Sequence, residues 1–189
     1  MTDEFRDRVD RALLTLPQDL KAALRLVEDG DLEDAERKSL AGAVLHVLSG
    51  ANVIPGTRGV LALVGSVLVL RVAIQRVRTS NAEVVGEHVA LGGELYEDLD
   101  AVLEAARKFL GDGFSVLEKA AESTAKVSFQ GHTPAQCVDD AEASRWLYDT
   151  VEEAIVERFT DMDEDEIGRE LKRLPEIVEP LRLKARTSA

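Results

Sequence analysis

His132, Cys137, Asp139 and Asp140 lie close together and are residue types that bind metals or attack carbonyls. Zinc takes imidazole and thiolate, but a closed site needs four ligands, and the short Cys or His pairs that normally supply them are missing. The stretch therefore reads as a plain loop with a buried thiol. His46 and His88 stand alone on apolar stripes and read as core histidines, each needing one hydrogen-bond partner. No Glu-x-x-His is present, which argues against a di-iron bundle site. Asp161, Asp163 and Asp165 resemble the start of a calcium loop. Glu166 stands where that loop requires Gly, however, and Lys172 where it requires Glu, so the run reads as a solvated helix start. Gly56-Thr57-Arg58-Gly59 lacks the Gly-Lys-Ser/Thr of a phosphate loop. There is no Gly-x-Ser-x-Gly elbow, and Cys137 has no convincing base. Glu152 and Glu153 are adjacent and point to different parts of a helix surface. Trp146 and Tyr148 flank a helical stripe, where ordinary partial burial is expected and an interface anchor is the alternative. No catalytic residue, cofactor-binding residue, metal ligand set or cofactor is expected.

Positioning in this chain centres on residues 40–74, LAGAVLHVLSGANVIPGTRGVLALVGSVLVLRVAI, which carry only Arg58 and Arg71 as charges in a chain that is 31% charged. They read as a buried helical hairpin turning at Asn52 to Gly59. From Gly59 the chain is apolar all round for 12 residues, up to Arg71. Such a helix is a central core element or a membrane segment. Twelve residues reach roughly 18 Å, short of the ~30 Å of a bilayer core. In the preceding run Gly42, Gly50, Asn52 and Pro55 act as breaks. Arg71, Arg76 and Arg78 are placed at the C-terminal end of the second arm, where cations suit the helix dipole.

The rest of the chain reads as amphipathic helix. Phe5, Val9, Leu13, Leu16, Leu20, Leu24 and Val27 form one stripe, which Pro17 should kink or restart. Gly30 is expected as a left-handed cap and Asp31 as the next N-cap. Ser80 with Glu83, and Asp163 with Glu166, are expected as capping boxes. A long helix is expected over 81–127, because Val85, Gly92, Leu99, Ala106, Gly113 and Ala120 recur every seven residues; it is either one bent helix or two in register across Gly111-Asp112-Gly113. Its small residues would let a neighbouring helix approach closely. Ser128 to Pro134 reads as the clearest linker. Ile167, Leu171, Leu174, Val178 and Leu181 continue a stripe past two prolines, and Lys184 to Ala189 should fray.

Composition agrees. A hydrophobic share of 45% is globular, and aromatics at 4% with no alternating β pattern favour helix. The fold class expected is all-α: a multi-helix bundle of six to eight helices around a buried apolar hairpin, with one long helix. Residues 1–128 would form the helical core domain, and 132–186 C-terminal helices packed on it. The net charge of −13 repels nucleic acid and anionic headgroups. It is uneven, since residues 37–80 hold 6 bases and no acid. One cysteine excludes an internal disulfide and suits a reducing, cytoplasmic setting. The charged N-terminus does not read as a signal peptide.

The hairpin resembles the bacterial YkvA-like family, a helical domain of unknown function. Its turn there reads roughly Tyr-Leu-x-x-Pro-x-Asp-Leu-Ile-Pro-Asp, followed by a Gly and an Asp-Asp pair in the second arm. Here Val53, Ile54 and Pro55 match, Asn52 and Gly56 stand for the two aspartates, and Gly50 stands for Pro. Gly65 and Ser66 fall where the Asp-Asp pair would be. The resemblance covers residues 40–74 only and implies the hairpin fold. It also implies a divergent member used as scaffold, because the acids that could carry a family activity are absent. The function expected is a non-catalytic helical scaffold or protein-interaction module, with a protein partner or self-association through residues 81–127. The alternative is a peripheral membrane protein whose hairpin dips into the bilayer. An enzyme is a distant third.

Overall fold

The structure is a computed structural model, and it describes residues 2–92 and 94–187, the side chains of 91, 92 and 94 excepted. The described residues form an all-α, multi-helix bundle. α1 (Thr2–Leu14) buries Phe5, Val9 and Leu13, and α2 (Leu16–Glu28) carries the stripe on through Leu16, Leu20, Leu24 and Val27. Pro17 sits in the first turn of α2, where its missing N–H leaves no hydrogen bond unmade, so it starts a helix and bends none. α2 ends on Asp29 in an extended conformation (φ −69°, ψ 112°), and Gly30 is not left-handed as expected. Glu33, not Asp31, is the N-cap of α3 (Asp34–Leu48), in a reciprocal capping box with Glu36. Asp31 instead gives its N–H to Asp29, closing the turn.

Every residue of α3 from Leu40 to Leu48 is buried. Gly42 does not break this helix. A Cβ there would lie 2.1 Å from the Thr124 carbonyl oxygen, so only glycine lets the 124–126 turn lie on α3. α4 (Gly59–Ser80) is the second arm, and it runs well past Arg71. Arg71 is therefore a mid-helix residue and does not serve the C-terminal dipole. Val67 and Leu70 are fully buried, while Val60 and Leu63 are partly buried against the core. α2, α8 and the 124–126 turn cover α3, and α1, α5, α6, α7 and α10 cover α4. Those later helices are α5 (Ala82–Gly92), α6 (Glu94–Leu110), α7 (Phe114–Ser123), α8 (Pro134–Asp139), α9 (Ala141–Ala154), α10 (Glu164–Leu171) and α11 (Val178–Thr187).

The expected capping box of Ser80 with Glu83 does not form. Ser80 ends α4, and its hydroxyl donates to Glu36 at 2.7 Å. Asn81 also donates to Glu36, at 2.6 Å, so one carboxylate ties the start of the first arm to the end of the second. Residues 81–127 are not one helix: Gly111 at φ 56° opens a 3-10 turn, Gly111–Gly113, between α6 and α7. A Cβ on Gly113 would lie 2.9 Å from the Leu181 Cβ, so the helix that this small residue admits is α11 of the same chain. The role expected for the Gly92 side of the stripe lies outside the described residues.

The Ser128–Pro134 linker is a tight reversal. Phe129 and His132 exchange backbone hydrogen bonds at 3.0 and 2.9 Å across Gln130 and Gly131, both at positive φ. Thr133 and Gln136 form a capping box for α8, Asp140 caps α9, and Asp163 caps α10. α9 closes in a π-turn, Ile155–Phe159. Leu147, Val151, Ile167, Leu171, Leu174 and Leu181 join the same core as the hairpin. Of the end expected to fray, residues 184–187 instead complete α11, with Lys184 donating to the Val53 carbonyl at 3.0 Å, and 188–189 lie outside the described residues. The segments outnumber the six to eight expected because Thr15, Gly111 and Pro175 each divide a stripe without changing its phase.

Two tests follow from this packing. Gly42→Ala should lower unfolding stability by about 1–3 kcal/mol or more through overpacking. Gly168→Ala, in a helix where a Cβ meets nothing within 4 Å, should raise it by about 0.5–1 kcal/mol. Denaturant midpoints at unchanged slope measure both, and a wild-type midpoint for Gly42→Ala would contradict the close approach. Val67→Asp should unfold the chain, since an unpaired buried carboxylate costs several kcal/mol, whereas Leu63→Asp should fold with a lower melting temperature.

Candidate functional site

The polar centre of the molecule lies among residues that show no motif. Asp19 on α2 and Arg71 on α4 are 0% and 1% exposed, in the middle of the hydrophobic core. Arg71 Nε donates to Asp19 Oδ2 at 2.9 Å, Nη2 lies 2.8 Å from the same oxygen in an ion pair, and Nη2 donates to Thr15 Oγ1 at 3.2 Å. Asp98 on α6 stands on the other side of the guanidinium, its Oδ2 at 3.9 Å from Arg71 Nη1. Arg8 on α1 donates to Asp98 Oδ1 at 2.5 Å. Two arginines and two aspartates from four helices thus form one neutral cluster. It is incompletely satisfied: Asp19 Oδ1, Arg71 Nη1, Asp98 Oδ2 and Arg8 Nε are buried without a hydrogen-bond partner. The Tyr96 hydroxyl on α6 is also buried and unpartnered.

Burial dominates the electrostatics. It pushes the Asp19 carboxyl up to about 6, against the lowering charge and hydrogen bonds of Arg71. Burial pushes the Tyr96 phenol up to about 12, so it stays protonated. A second layer surrounds the cluster. Asp100 accepts from Gln75 at 3.0 Å and also from Arg78, and these hydrogen bonds hold its carboxyl below the usual range. At the far end of α2, Asp29 accepts from His88 of α5 at 2.6 Å, and that bond lowers the Asp29 carboxyl.

The residues singled out by type are dispersed. His132 stacks on Trp146 with centroids 3.8 Å apart, and Phe129 lies beside them. Cys137 is buried, and burial pushes its thiol up to about 11, a value that suits an inert core thiol. Asp139 pairs with Lys38 at 3.0 Å, and Asp140 accepts from the Ala143 N–H. His46 is buried with Nε2 unpartnered, contrary to the expected hydrogen bond, and burial lowers its pKa. His88 does find its partner in Asp29. Glu152 pairs with Lys21 at 3.3 Å, and burial, with the Glu28 carboxylate nearby, pushes the phenol of half-buried Tyr148 up. Among the described residues no three His, Cys, Asp or Glu side chains are grouped to hold a metal ion.

The hairpin turn is built by its own polar atoms. Asn52 Oδ1 accepts from the Ile54 N–H at 3.0 Å, and Asn52 Nδ2 donates to the Thr57 carbonyl at 2.6 Å. Ser66 donates to the Ala51 carbonyl at 3.0 Å. A Cβ on Gly65 would fall 2.5 Å from Val53 Cγ1. Beside this turn is an open hollow of about 490 Å³, bounded by Arg58, Leu61, Arg173, Glu176 and Pro180. Arg173 is already held between Glu170 and Glu176, each at 3.0 Å. No protein-family model, curated protein or solved structure matches the chain.

Arg71→Met should cost about 3–5 kcal/mol, because it strands the buried Asp19 charge. Replacing both residues, as Asp19→Leu with Arg71→Met, should recover most of that loss. Equal losses in the single and double variants would show that the pair contributes nothing. The pH dependence has a defined sign. Asp19 holds its proton more tightly folded than unfolded, so its contribution is complete below the ordinary carboxylate pKa of ~4 and is lost as pH rises through about 6. Chemical denaturation between pH 4 and 7 should show this fall in the wild type and not in Asp19→Asn.

Proposed function

We propose that this protein is a non-catalytic helical scaffold of the cytoplasm. The α3–α4 hairpin is its core, and the 81–127 segment, through α5, is the surface that meets another protein or a second copy. The observation that carries this reading is the exposure of α5. Of its side chains from 82 to 90, only Val85 is buried, and Ala82, Gly86, Val89 and Ala90 are exposed on an apolar helix. α6 and α7 offer no such surface, because Leu95, Leu99, Val102, Leu103, Leu110, Val116 and Leu117 all point into the core. Exposed apolar side chains at helical spacing, rimmed here by Glu83 and Glu87, suit a helix-in-groove or helix-on-helix contact.

The resemblance of the hairpin to the YkvA-like family fits a scaffold. Asn52, Gly65 and Ser66, at positions where that family has aspartates, are engaged here in closing the turn. The membrane reading draws on α4, which has the length and composition to cross a bilayer. Burial weighs against it: 72% of the most apolar window of α4 is covered by other parts of the chain. Dipping the hairpin into lipid would require stripping off α1, α6 and α7.

A photo-crosslinker in place of Ala90 should give a discrete protein adduct, to itself or to another chain, that Val89→Glu abolishes. The same crosslinker at exposed Ala125 should give none. Identical adducts at both positions would remove α5 from the proposal. Co-pelleting with anionic liposomes that survives high salt would favour the membrane reading instead.

A further inference from the structure

The guanidinium of Arg71 lies between two carboxylates and uses only one of them. Its Nε and Nη2 are spent on Asp19 Oδ2 and Thr15, while Nη1 has no hydrogen-bond partner. Asp98 Oδ2, 3.9 Å from Nη1, has none either. A buried cationic donor and a buried anionic acceptor therefore face each other across a gap about 1 Å too long for a hydrogen bond. On the opposite side, Asp19 Oδ1 is buried without a donor. We infer that Arg71 is a two-position element: when Asp19 takes up a proton, Arg71 passes from Asp19 on α2 to Asp98 on α6 and draws α6 onto α4.

The step takes one proton from solvent, which carries the neutral cluster to a charge of +1, and it exchanges the Arg71–Asp19 hydrogen bond for one to Asp98 Oδ2. One proton from solvent adds to Asp19 Oδ1, the oxygen with no donor to lose. The arginine keeps its charge throughout. Its lost ionic partner is replaced by Asp98, which is already oriented by Arg8 on its other oxygen. Asp98 and Arg8 side chains are 12% and 31% accessible, so the cluster has a wetted edge by which a proton can reach Asp19. Burial lifts the Asp19 carboxyl to about 6, near enough to neutrality for the exchange to occur in folded protein.

Other charged groups leave this exchange to the cluster. α3 brings Arg37, which donates to the Val27 carbonyl, and His46, whose pKa burial lowers. α5 brings His88, bonded to Asp29 at the other end of α2. α9 brings Glu152 to Lys21 at the surface, and Tyr148, whose phenol burial pushes up. From α4 and α2, Arg78 and Arg25 bear on Tyr96, whose phenol stays protonated.

NMR titration of the full chain tests the inference, following the Asp19 carboxyl carbon and the Arg71 side-chain nitrogens. The Asp19 carboxyl should titrate near 6, and Arg71 Nη1 should shift in the same step. In Asp98→Leu, which leaves no acceptor on that side, Asp19 should still titrate but Arg71 Nη1 should no longer shift with it. Asp19→Asn should show the low-pH Arg71 pattern already at pH 7. An Asp19 that stays ionised down to pH 4, or Arg71 signals unchanged while Asp19 titrates, would overturn it. Should Asp98→Leu not fold, the wild-type titration and Asp19→Asn still decide the matter.

Discussion

Helix α3 has no solvent face over its last nine residues, and α4 has none from Val64 to Ile74. Two adjacent helices that cannot touch water oblige the rest of the chain to enclose them. This explains why the other helices are short and amphipathic and why their stripes stay in phase across breaks. It also explains where glycine is indispensable. At Gly42 and Gly65 a backbone or a branched side chain presses directly on the hairpin, and a methyl group would hold them apart. The enclosure is mostly apolar burial, non-directional and roughly proportional to area. Specific orientation comes from a few polar fixtures: Glu36 at the open end, Asn52 and Ser66 at the turn, and the Asp19–Arg71 pair between.

The hairpin was legible because its signal is a long deficit of charge, which tertiary context does not disguise. The all-α class followed from periodicity, and the caps Asp163 and the break at Pro17 from local chemistry. The N-caps that failed had the right residue type in the wrong place. Ser80 lies within the last turn of α4, where its hydroxyl finds Glu36, and Asp31 lies in the turn before α3, which starts only at Asp34. The polar cluster was not legible. Asp19 falls within an amphipathic helix among other acids, and Arg71 sits at the end of an apolar run, where a helix-dipole role is the natural inference. Only the folded packing brings Asp19 on α2 within reach of the Arg71 side chain on α4, across 52 residues of sequence. The one available signal was the lone charge of Arg71 within residues 59–74, since a buried arginine demands a carboxylate.

A buried ion pair is weak evidence for stability, because desolvation opposes the attraction. In this molecule its consequence is registry. A single guanidinium that must meet Asp19, Thr15 and the neighbourhood of Asp98 ties the rotation of α4 to α2, to the α1–α2 junction and to α6. Aliphatic side chains alone would allow several near-equal rotations, since Val and Leu are spread all round α4. The same cluster leaves polar atoms unsatisfied, which makes it the place in the core where an alternative arrangement is cheapest.

The stacking of His132 on Trp146 has a spectroscopic consequence. Trp146 is the only tryptophan in the chain, so intrinsic indole emission has one origin. An imidazole lying parallel to the indole at 3.8 Å is positioned to quench it. Fluorescence therefore observes the fit of the 129–132 reversal against α9, and it is silent about the hairpin. An unfolding transition followed by emission will report the C-terminal helices leaving the core. Only its coincidence with far-ultraviolet circular dichroism, which is dominated by the whole helical content, would establish that the hairpin and its cover melt as one unit.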